Sequence, residues 1–377
     1  MKKILFIVSE DWYFVSHRFH LAKTAILNGY HVTLLTNIDK CKVLIEENGI
    51  DVIPWSLKRN SYNPLQEIRS IFQVVKAIKQ VRPSLIHSVA IKPILYSGIA
   101  SYITSLKSRV FAFAGLGYIF TSNKLLAKIF RIPVVLLIKL LLKNDYSSII
   151  LQNQDDITNL LQLNMIREDS ISLIPGSGVD TNLFFPTNDQ EELTPIVMLP
   201  ARLLWDKGIN DFVLAVKILK KKNINARFVL VGQSDPHNPA SIPDSQIAEW
   251  VKNNIIEYWG YKKNMHEILN KASIVCLPSY REGFPKVLLE AASCAKPIVT
   301  TDVPGCRQAI ENNFSGLLVP VNDPTALALS IEKLIEDTQL CKLMGERGMH
   351  RVKRELSQEI ISNQTISLWE RILKKHY

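Results

Sequence analysis

The chain has 377 residues, of which 47% are hydrophobic and 21% are charged, and its formal net charge at pH 7 is +10. This length fits two domains with a cleft between them, and the composition excludes a disordered chain. The five cysteines are scattered and never spaced as Cys-x-x-Cys, so the sequence indicates neither a disulfide framework nor a zinc site and predicts reduced core thiols.

The N-terminal residues predict a buried strand followed by a helix. The apolar run over 4–8 is too short for a secretory signal, and Glu10 and Asp11 stop it. We therefore expect a first strand over 3–8 and a cytoplasmic protein. A helix over about 16–27 then ends at Asn28 and Gly29, which form a favourable C-cap.

Strands and helices alternate along both halves of the chain. Strands are predicted over 31–36, 51–54 and 84–88, with a helix over about 63–81, and again over 196–200, 227–232, 274–278 and 297–300. This alternation predicts an α/β fold of two doubly wound, Rossmann-like domains. We expect domains over 1–180 and 181–356, joined by a linker over about 175–194, and a final helix within 357–377 that packs back on the first domain.

The positive charge is concentrated in the first domain. Residues 1–180 hold 21 of the 45 Lys and Arg residues but only 13 of the 35 Asp and Glu residues. Such a surface can attract nucleic acid, anionic lipid or phosphorylated small molecules. Charge alone does not choose among them.

Three segments of the second half follow predicted strands, where ligands bind in open α/β sheets. The first segment, over 201–208, places Arg202 and Lys207 before a helix, where two cations can hold a diphosphate. The alternative is a solvated loop in which Asp206 and Lys207 form a charge pair. The third, over 301–306, contains Gly305, which permits close backbone approach to a ligand, although Asp302 also suits a simple turn.

The second segment, over 281–290, predicts a helix N-terminus after a strand. Pro285 suits the first helical position, and the free N–H groups and positive dipole end of the helix form a site for a donor phosphate. Glu282 can accept hydrogen bonds from sugar hydroxyls, and Glu290 can accept them from a ribose diol. Compensation of the helix dipole explains Glu282 equally well without a ligand.

These segments resemble the donor site of family 4 glycosyltransferases, which have the GT-B fold with a central cleft. Glu282 and Glu290 match the family's E-x7-E pattern, and Arg202 and Lys207 match its diphosphate-binding pair. The resemblance covers nearly the whole chain. It is nearest to the group that adds N-acetylgalactosamine to undecaprenyl-diphosphate-linked diacetylbacillosamine, which the segments over 87–93, 115–117 and 201–208 also resemble.

The resemblance implies a retaining, metal-independent transfer from a UDP-sugar to a polyprenyl-diphosphate-linked saccharide, without a cofactor. It implies that Arg202 and Lys207 bind the pyrophosphate and stabilise the charge that develops on it, that Glu282 binds the sugar, and that Glu290 binds the ribose. The remaining expected substrate contacts are Gly283, Phe284, Pro285, His17, Lys92, Gly117 and Tyr261. The chain departs from the family pattern at residues 9–12, which lack a Gly-Gly pair, and at Ala295 and Gln308.

Two histidines follow strands of the predicted N-terminal domain. We expect His17 and His87 to face the cleft from the acceptor side, with His87 among the catalytic residues. The alternative for each is a structural hydrogen-bonding role.

The segment over 123–144 predicts a basic amphipathic helix. At 100° per residue its cations cover about a third of the circumference, namely Lys124, Lys128, Arg131, Lys139 and Lys143. Its longest uncharged run, 132–138, is far below the roughly 20 residues that span a bilayer. We expect an interfacial helix on an anionic membrane surface, peripheral on the inner face of the plasma membrane; a core helix with a solvated cationic edge is the alternative.

Three other functions are compatible with a doubly wound fold and differ in the motifs that they require. A dehydrogenase would need the G-x-G-x-x-G fingerprint, which the first strand and residues 115–117 lack. A GT-B sugar-nucleotide epimerase and a non-catalytic basic membrane-binding protein with a transferase fold stay open. No nucleic-acid-binding motif is present in the sequence, so we expect no nucleic acid partner.

Overall fold

The computed structural model describes residues 1–57, 63–115, 134–141, 146–163, 166–187, 194–235 and 238–375. The chain divides into two compact units. Unit 1 comprises Met1–Ser177 and Gln358–Tyr377, and unit 2 comprises Gly178–Ser357. The domain boundaries predicted from the sequence, after residues 180 and 356, differ from these by three residues and one residue.

Unit 1 is built on a parallel sheet of seven strands in the order β3-β2-β1-β4-β5-β6-β7. The strands are β1 Lys3–Glu10, β2 His31–Asn37, β3 Asp51–Pro54, β4 Leu85–Val89, β5 Arg109–Ala112, β6 Ser147–Leu151 and β7 Ile171–Leu173. The described helices are Asp11–His17, Phe19–Leu27, Lys42–Glu47, Pro64–Val81, Ile91–Thr104, 134–141, Gln154–Gln162 and Gln358–Lys374, with a 3₁₀ turn at Glu168–Ser170.

Alternate residues of β1 enter two separate cores, because successive side chains of a strand point to opposite faces. Phe6 packs in the core that contains Trp369 of the last helix. Leu5 packs in the core that contains Val74 and Tyr96 of helices Pro64–Val81 and Ile91–Thr104. Unit 1 is therefore doubly wound, and the last helix of the chain forms part of one of its helical layers.

Unit 2 repeats this architecture on a six-stranded parallel sheet in the order β10-β9-β8-β11-β12-β13. The strands are β8 Ile196–Pro200, β9 Arg227–Val231, β10 Glu257–Gly260, β11 Ile274–Leu277, β12 Ile298–Thr301 and β13 Gly316–Val319. The helices are Ile209–Lys221, Asp244–Lys252, Met265–Lys271, Lys286–Ser293, Pro304–Ala309, Pro324–Glu336 and Thr338–Arg351, with a 3₁₀ turn at Trp205–Lys207 and a π turn at Val352–Leu356. Val197 and Met198 of β8 enter opposite cores, so the predicted α/β class is confirmed in both units.

Two local predictions were wrong. The helix predicted over 16–27 is two helices, Asp11–His17 and Phe19–Leu27, because Arg18 leaves helical geometry with φ −131° and ψ −6°. Pro285 is the N-cap of helix Lys286–Ser293 and not its first helical residue, with an extended backbone at φ −76° and ψ 107°.

The predicted interfacial helix lies largely outside the described residues. Lys124, Lys128, Arg131 and Lys143 are among the residues that are not described, and the helical stretch 134–141 contains Lys139. In that stretch Ile138 and Leu141 are buried, whereas Leu136, Lys139 and Leu140 are exposed. Within the described parts of the chain, every helix is too short or too polar to cross a bilayer.

Candidate functional site

The loops that follow β8 and β11 are joined through their backbones in unit 2. Because β8 and β11 are neighbours in a parallel sheet, their carboxyl ends lie at the same edge. The N–H of Tyr280 donates to the carbonyl of Asp206 at 2.9 Å. At Gly208, where φ is +69°, an added Cβ would lie only 1.9 Å from the carbonyl oxygen of Pro278. Only glycine allows the two loops to approach this closely.

The loop after β12 joins the same cluster. The N–H of Gly305 donates to the carbonyl of Glu282 at 3.2 Å, and a Cβ at Gly305 would lie 2.5 Å from the carbonyl oxygen of Gly283. The hydroxyl of Thr301 donates to the carbonyl of Ser279. The three segments that the sequence singled out separately are therefore one contiguous site.

Lys207 and Glu282 form an ion pair at the centre of this cluster. The ammonium group donates to Oε1 of Glu282, and the hydroxyl of Ser279 donates to the same oxygen at 2.7 Å. The two charged side chains are 19% and 11% exposed, so the pair is screened from bulk solvent yet accessible at its edge. A positive and a negative group are thus held side by side at the carboxyl end of the sheet.

Arg202 is in a different environment from Lys207. Its guanidinium is 60% exposed, and Nη1 lies 3.4 Å from Oδ2 of Asp235. An exposed pair of this length is weak, so the Arg202 side chain can turn toward an anionic ligand at little cost.

Glu290 lies on the helix that starts beside the ion pair. Burial raises the pKa of its carboxyl, and the ammonium group of Lys286, 3.4 Å from Oε1, partly offsets this effect. The N-cap residue of helix Lys286–Ser293 is Pro285, whose side chain forms no capping hydrogen bond. The positive end of the helix dipole and a buried carboxylate, typical anion-binding and hydroxyl-binding groups, therefore lie on one short element.

Sequence reasoning missed Asp211 and Tyr280. The hydroxyl of Tyr280 donates to the buried carboxylate of Asp211, which lies in the first turn of helix Ile209–Lys221. Burial and the negative charge of Asp211 raise the pKa of Tyr280 to about 12, and burial raises the pKa of Asp211. This bond links the same two loops through side chains; the only signal in the sequence is an acidic residue one turn after the Arg202–Gly208 loop.

Among the other predicted residues of unit 2, Phe284 and Pro285 closely follow Glu282 in the chain, whereas Tyr261 belongs to a different loop. Phe284 is half-buried against the core, and Pro285 is buried at the helix N-terminus. Tyr261 follows β10, which β9 separates from β8, and its side chain is 64% exposed.

Of the predicted residues of unit 1, His17 and His87 line one small recess, and Lys92 is part of a separate ion pair. His17 is the last residue of its helix, and its ring stacks on Tyr13 with centroids 4.3 Å apart. The ammonium group of Lys92 lies 3.0 Å from a carboxylate oxygen of Glu67. Gly117 is outside the described residues.

The position predicted for His87 was wrong. His87 does not follow a strand but is the third residue of β4, and it is buried between Phe6 and Trp369. The indole N–H of Trp369 donates to Nδ1 of His87 at 3.1 Å. Burial and the nearby charge of Arg18 lower the pKa of His87 well below its usual value. This is a neutral core histidine.

Both halves of the chain match glycosyltransferase family models. Residues 180–351 match the family model described as "Glycosyl transferases group 1", and residues 3–153 match "Glycosyl transferase 4-like". The chain is 29% identical, over 88% of both chains, to the N,N'-diacetylbacillosaminyl-diphospho-undecaprenol alpha-1,3-N-acetylgalactosaminyltransferase of Campylobacter jejuni. It is 22% identical to the UDP-Gal:alpha-D-GlcNAc-diphosphoundecaprenol alpha-1,3-galactosyltransferase of Escherichia coli, over 77% of this chain and 78% of that one.

Solved structures share the fold along the whole chain. The sucrose-phosphate synthase of Thermosynechococcus elongatus aligns with a TM-score of 0.80 at 21% identity and covers 100% of both chains. Anabaena HepE, solved in complex with UDP and glucose, aligns with a TM-score of 0.77 at 18% identity, over 98% of this chain and 100% of that one.

Proposed function

The chain belongs to the family 4 glycosyltransferases, which have the GT-B fold, and we propose that it transfers N-acetylgalactosamine from UDP to an undecaprenyl-diphosphate-linked saccharide with retention of configuration. The reaction takes place during assembly of a bacterial surface glycan. The observation that carries the proposal is the Lys207–Glu282 pair beside the helix Lys286–Ser293, which bears Glu290.

The donor half of the proposal rests on how these groups complement a nucleotide diphosphate sugar. Lys207 and the N-terminus of helix Lys286–Ser293 provide fixed positive charge for the diphosphate, and Arg202 adds a mobile cation. When the glycosidic bond to the diphosphate breaks, negative charge grows on the β-phosphate, and preorganised positive groups stabilise that charge. No resident cofactor is part of this proposal.

Glu282 and Lys207 exchange partners in the proposed complex. A diphosphate that binds beside Lys207 competes with Glu282 for the ammonium group. The carboxylate of Glu282 then accepts hydrogen bonds from hydroxyls of the sugar while Ser279 holds it in place. Glu290 accepts from the ribose hydroxyls. The choice of UDP is supported by the name of the Escherichia coli relative and by the UDP bound to Anabaena HepE.

The acceptor half of the proposal rests on unit 1. The Campylobacter and Escherichia coli relatives are both named for undecaprenol-linked diphosphate acceptors. The excess of positive charge in residues 1–180 suits an anionic membrane that contains such a lipid. We place the enzyme peripherally at the cytoplasmic face of that membrane.

Thermal unfolding with a ligand panel tests the donor assignment first. UDP, UDP-N-acetylgalactosamine, UDP-N-acetylglucosamine, GDP, ADP and NAD are compared on the wild type, Glu290→Ala and Arg202→Ala. A ligand at 100 times its Kd adds roughly 2.7 kcal/mol of stability, which is easily measured. Stabilisation by uridine compounds that both variants reduce supports the proposal, whereas stabilisation by NAD or by no compound contradicts it.

A transfer assay with a short-chain polyprenyl-diphosphate saccharide tests the reaction itself. We expect UDP release that depends on the acceptor and a product that is longer by one N-acetylhexosamine. Release of an isomerised free sugar without an acceptor would favour a sugar-nucleotide epimerase.

A further inference from the structure

A small recess lies within unit 1, and His17 and His87, both expected on the acceptor side of the cleft, are among the residues that line it. Arg18 and His87 line it, together with segments next to both points where the chain crosses between the units. Those segments contribute Gly176, Ser177, Ile361 and Ser362. The cavity volume is about 10 Å³, enough for about one water-sized atom.

Arg18 brings a buried positive charge to this recess. Its side chain lies at the break between two helices and is 5% exposed. Nη1 donates to the carbonyl of His17 at 3.0 Å, but across the described parts of the chain no group accepts from Nε and no carboxylate forms an ion pair with it. Burial lowers the pKa of the Arg18 guanidinium, but arginine side chains stay protonated in proteins at neutral pH, so the charge remains.

His87 brings a directed N–H donor. The indole of Trp369 can only donate, so its bond to Nδ1 of His87 fixes the tautomer with the proton on Nε2. Within the described residues nothing accepts from this Nε2–H, although the atom is fully buried. The recess therefore has two unsatisfied N–H donors in its wall.

Two hydroxyl groups of the recess, those of Ser362 and Thr365, already take part in hydrogen bonds. Oγ of Ser362 shares a hydrogen bond with Nδ1 of His20 at 3.0 Å, and the hydroxyl of Thr365 donates to the carbonyl of Ile361 at 2.9 Å. The wall thus offers donors and a full positive charge, with no negative group of the described chain to balance it. Burying an unbalanced charge is costly, and a neutral water molecule would satisfy the donors but leave the charge.

We propose that Arg18 and His87 bind one small anionic atom in this recess, either a halide ion or a single phosphoryl oxygen of a larger ligand. The small volume suits one such atom. The bound anion satisfies both donors and neutralises Arg18. It also ties the break at Arg18 to the segments through which the chain leaves and re-enters unit 1.

Sodium bromide and sodium phosphate distinguish a halide ion from a phosphoryl oxygen as the bound atom. Thermal unfolding of the wild type, Arg18→Met and Arg371→Met is measured at constant ionic strength against a background of sodium gluconate. Arg371 lies on the last helix of the same unit and is exposed, so its variant removes the same charge away from the recess. We expect a saturable rise in the unfolding midpoint of the wild type and of Arg371→Met, and an affinity at least about tenfold weaker in Arg18→Met.

Stabilisation by bromide assigns a halide site, and stabilisation by phosphate alone assigns a phosphoryl oxygen. Anomalous diffraction from a crystal of the wild-type protein soaked in bromide is a second measurement, and it does not depend on the folding of a variant. We expect an anomalous peak within hydrogen-bonding distance of Arg18 Nε and His87 Nε2 if the site takes a halide. Equal responses of all three proteins to both anions, with no peak, would mean that the recess holds water only and would overturn the proposal.

Discussion

The ammonium group of Lys207 contacts the carboxylate of Glu282, although 75 residues separate them in the chain. The contact depends on the backbone bond between Tyr280 and Asp206, which brings together the loops after β8 and β11. The ion pair therefore forms only when the loops after β8 and β11 are held together.

Replacing Lys207 by methionine keeps most of the length of the side chain and removes its charge. We expect kcat/KM for transfer to fall by about 100-fold to 1000-fold, because the cation no longer stabilises the charge on the departing diphosphate. Steady-state kinetics measure the loss. Lys217→Met serves as the control, since Lys217 is exposed on the helix that follows. Equal kcat/KM values in the two variants would remove Lys207 from the donor site.

Gly208→Ala tests the close approach of the two loops. The added Cβ would overlap the carbonyl of Pro278, so one loop must move. Gly260→Ala is matched in backbone geometry, since φ is +69° at both glycines, yet a Cβ at Gly260 meets nothing within 4 Å.

We expect Gly260→Ala to lower the free energy of unfolding by about 1 kcal/mol, the cost of a left-handed alanine. Gly208→Ala should lower it by about 2 kcal/mol more, because of the overlap. Urea unfolding measures both values, and UDP binding should weaken only in Gly208→Ala. Equal losses of stability would show that the loops relax freely.

Glu290→Gln separates the contribution of the carboxylate to stability from its contribution to binding. Burial raises the pKa of Glu290 above its ordinary 4.5, so the folded state binds this proton more tightly than the unfolded state. The stability linked to Glu290 is therefore fully present below pH 4.5 and is lost as the pH rises through the raised pKa.

The glutamine variant has no such proton to lose. Its unfolding midpoint should rise relative to that of the wild type as the pH increases from 4.5 through the raised pKa, and Glu336→Gln, an exposed position, should show no such trend. At the same time UDP binding should weaken by about tenfold, because an amide replaces a charged acceptor of the ribose diol. A constant difference in midpoint across this pH range would contradict the assigned burial.

The sequence brought out the residues of the proposed donor site but not the contacts between them. Glu282, Glu290 and Lys207 were chosen as candidates from their places after strands and from the family pattern that they match, both of which are read locally along the chain. Their mutual contacts depend on Gly208 and Gly305, where close backbone approach between distant segments decides the geometry. No local pattern encodes such an approach.

The sequence identified some strands and missed others, and burial does not separate the two groups. β8 and β3 were predicted residue for residue, whereas β5, β6, β7, β10 and β13 were not identified. Strands of three to five residues are too short to show a clear periodicity, so the pattern alone does not distinguish them from other short segments. His87 shows a related limit, since its orientation depends on Trp369, 282 residues away in the sequence.

The outer face of helix Pro64–Val81 extends the prediction of membrane docking beyond the segment over 123–144. Leu65, Ile68 and Phe72 are more than half exposed on this helix and recur at spacings of three and four residues. The same face carries exposed cations at Arg69, Lys76 and Lys79. An exposed apolar stripe flanked by positive charge is typical of a helix that lies on an anionic membrane.

Replacing Ile68 and Phe72 by serine removes the apolar part of this face. We expect binding to vesicles that contain phosphatidylglycerol to weaken by at least about tenfold, because each large apolar side chain that enters a membrane contributes about 1.5–3 kcal/mol. Co-sedimentation measures the binding. Leu329→Ser is the control, since Leu329 is equally exposed on a helix of unit 2. If the double variant binds as the wild type does, this face does not dock, and residues 123–144 become the surface to test next.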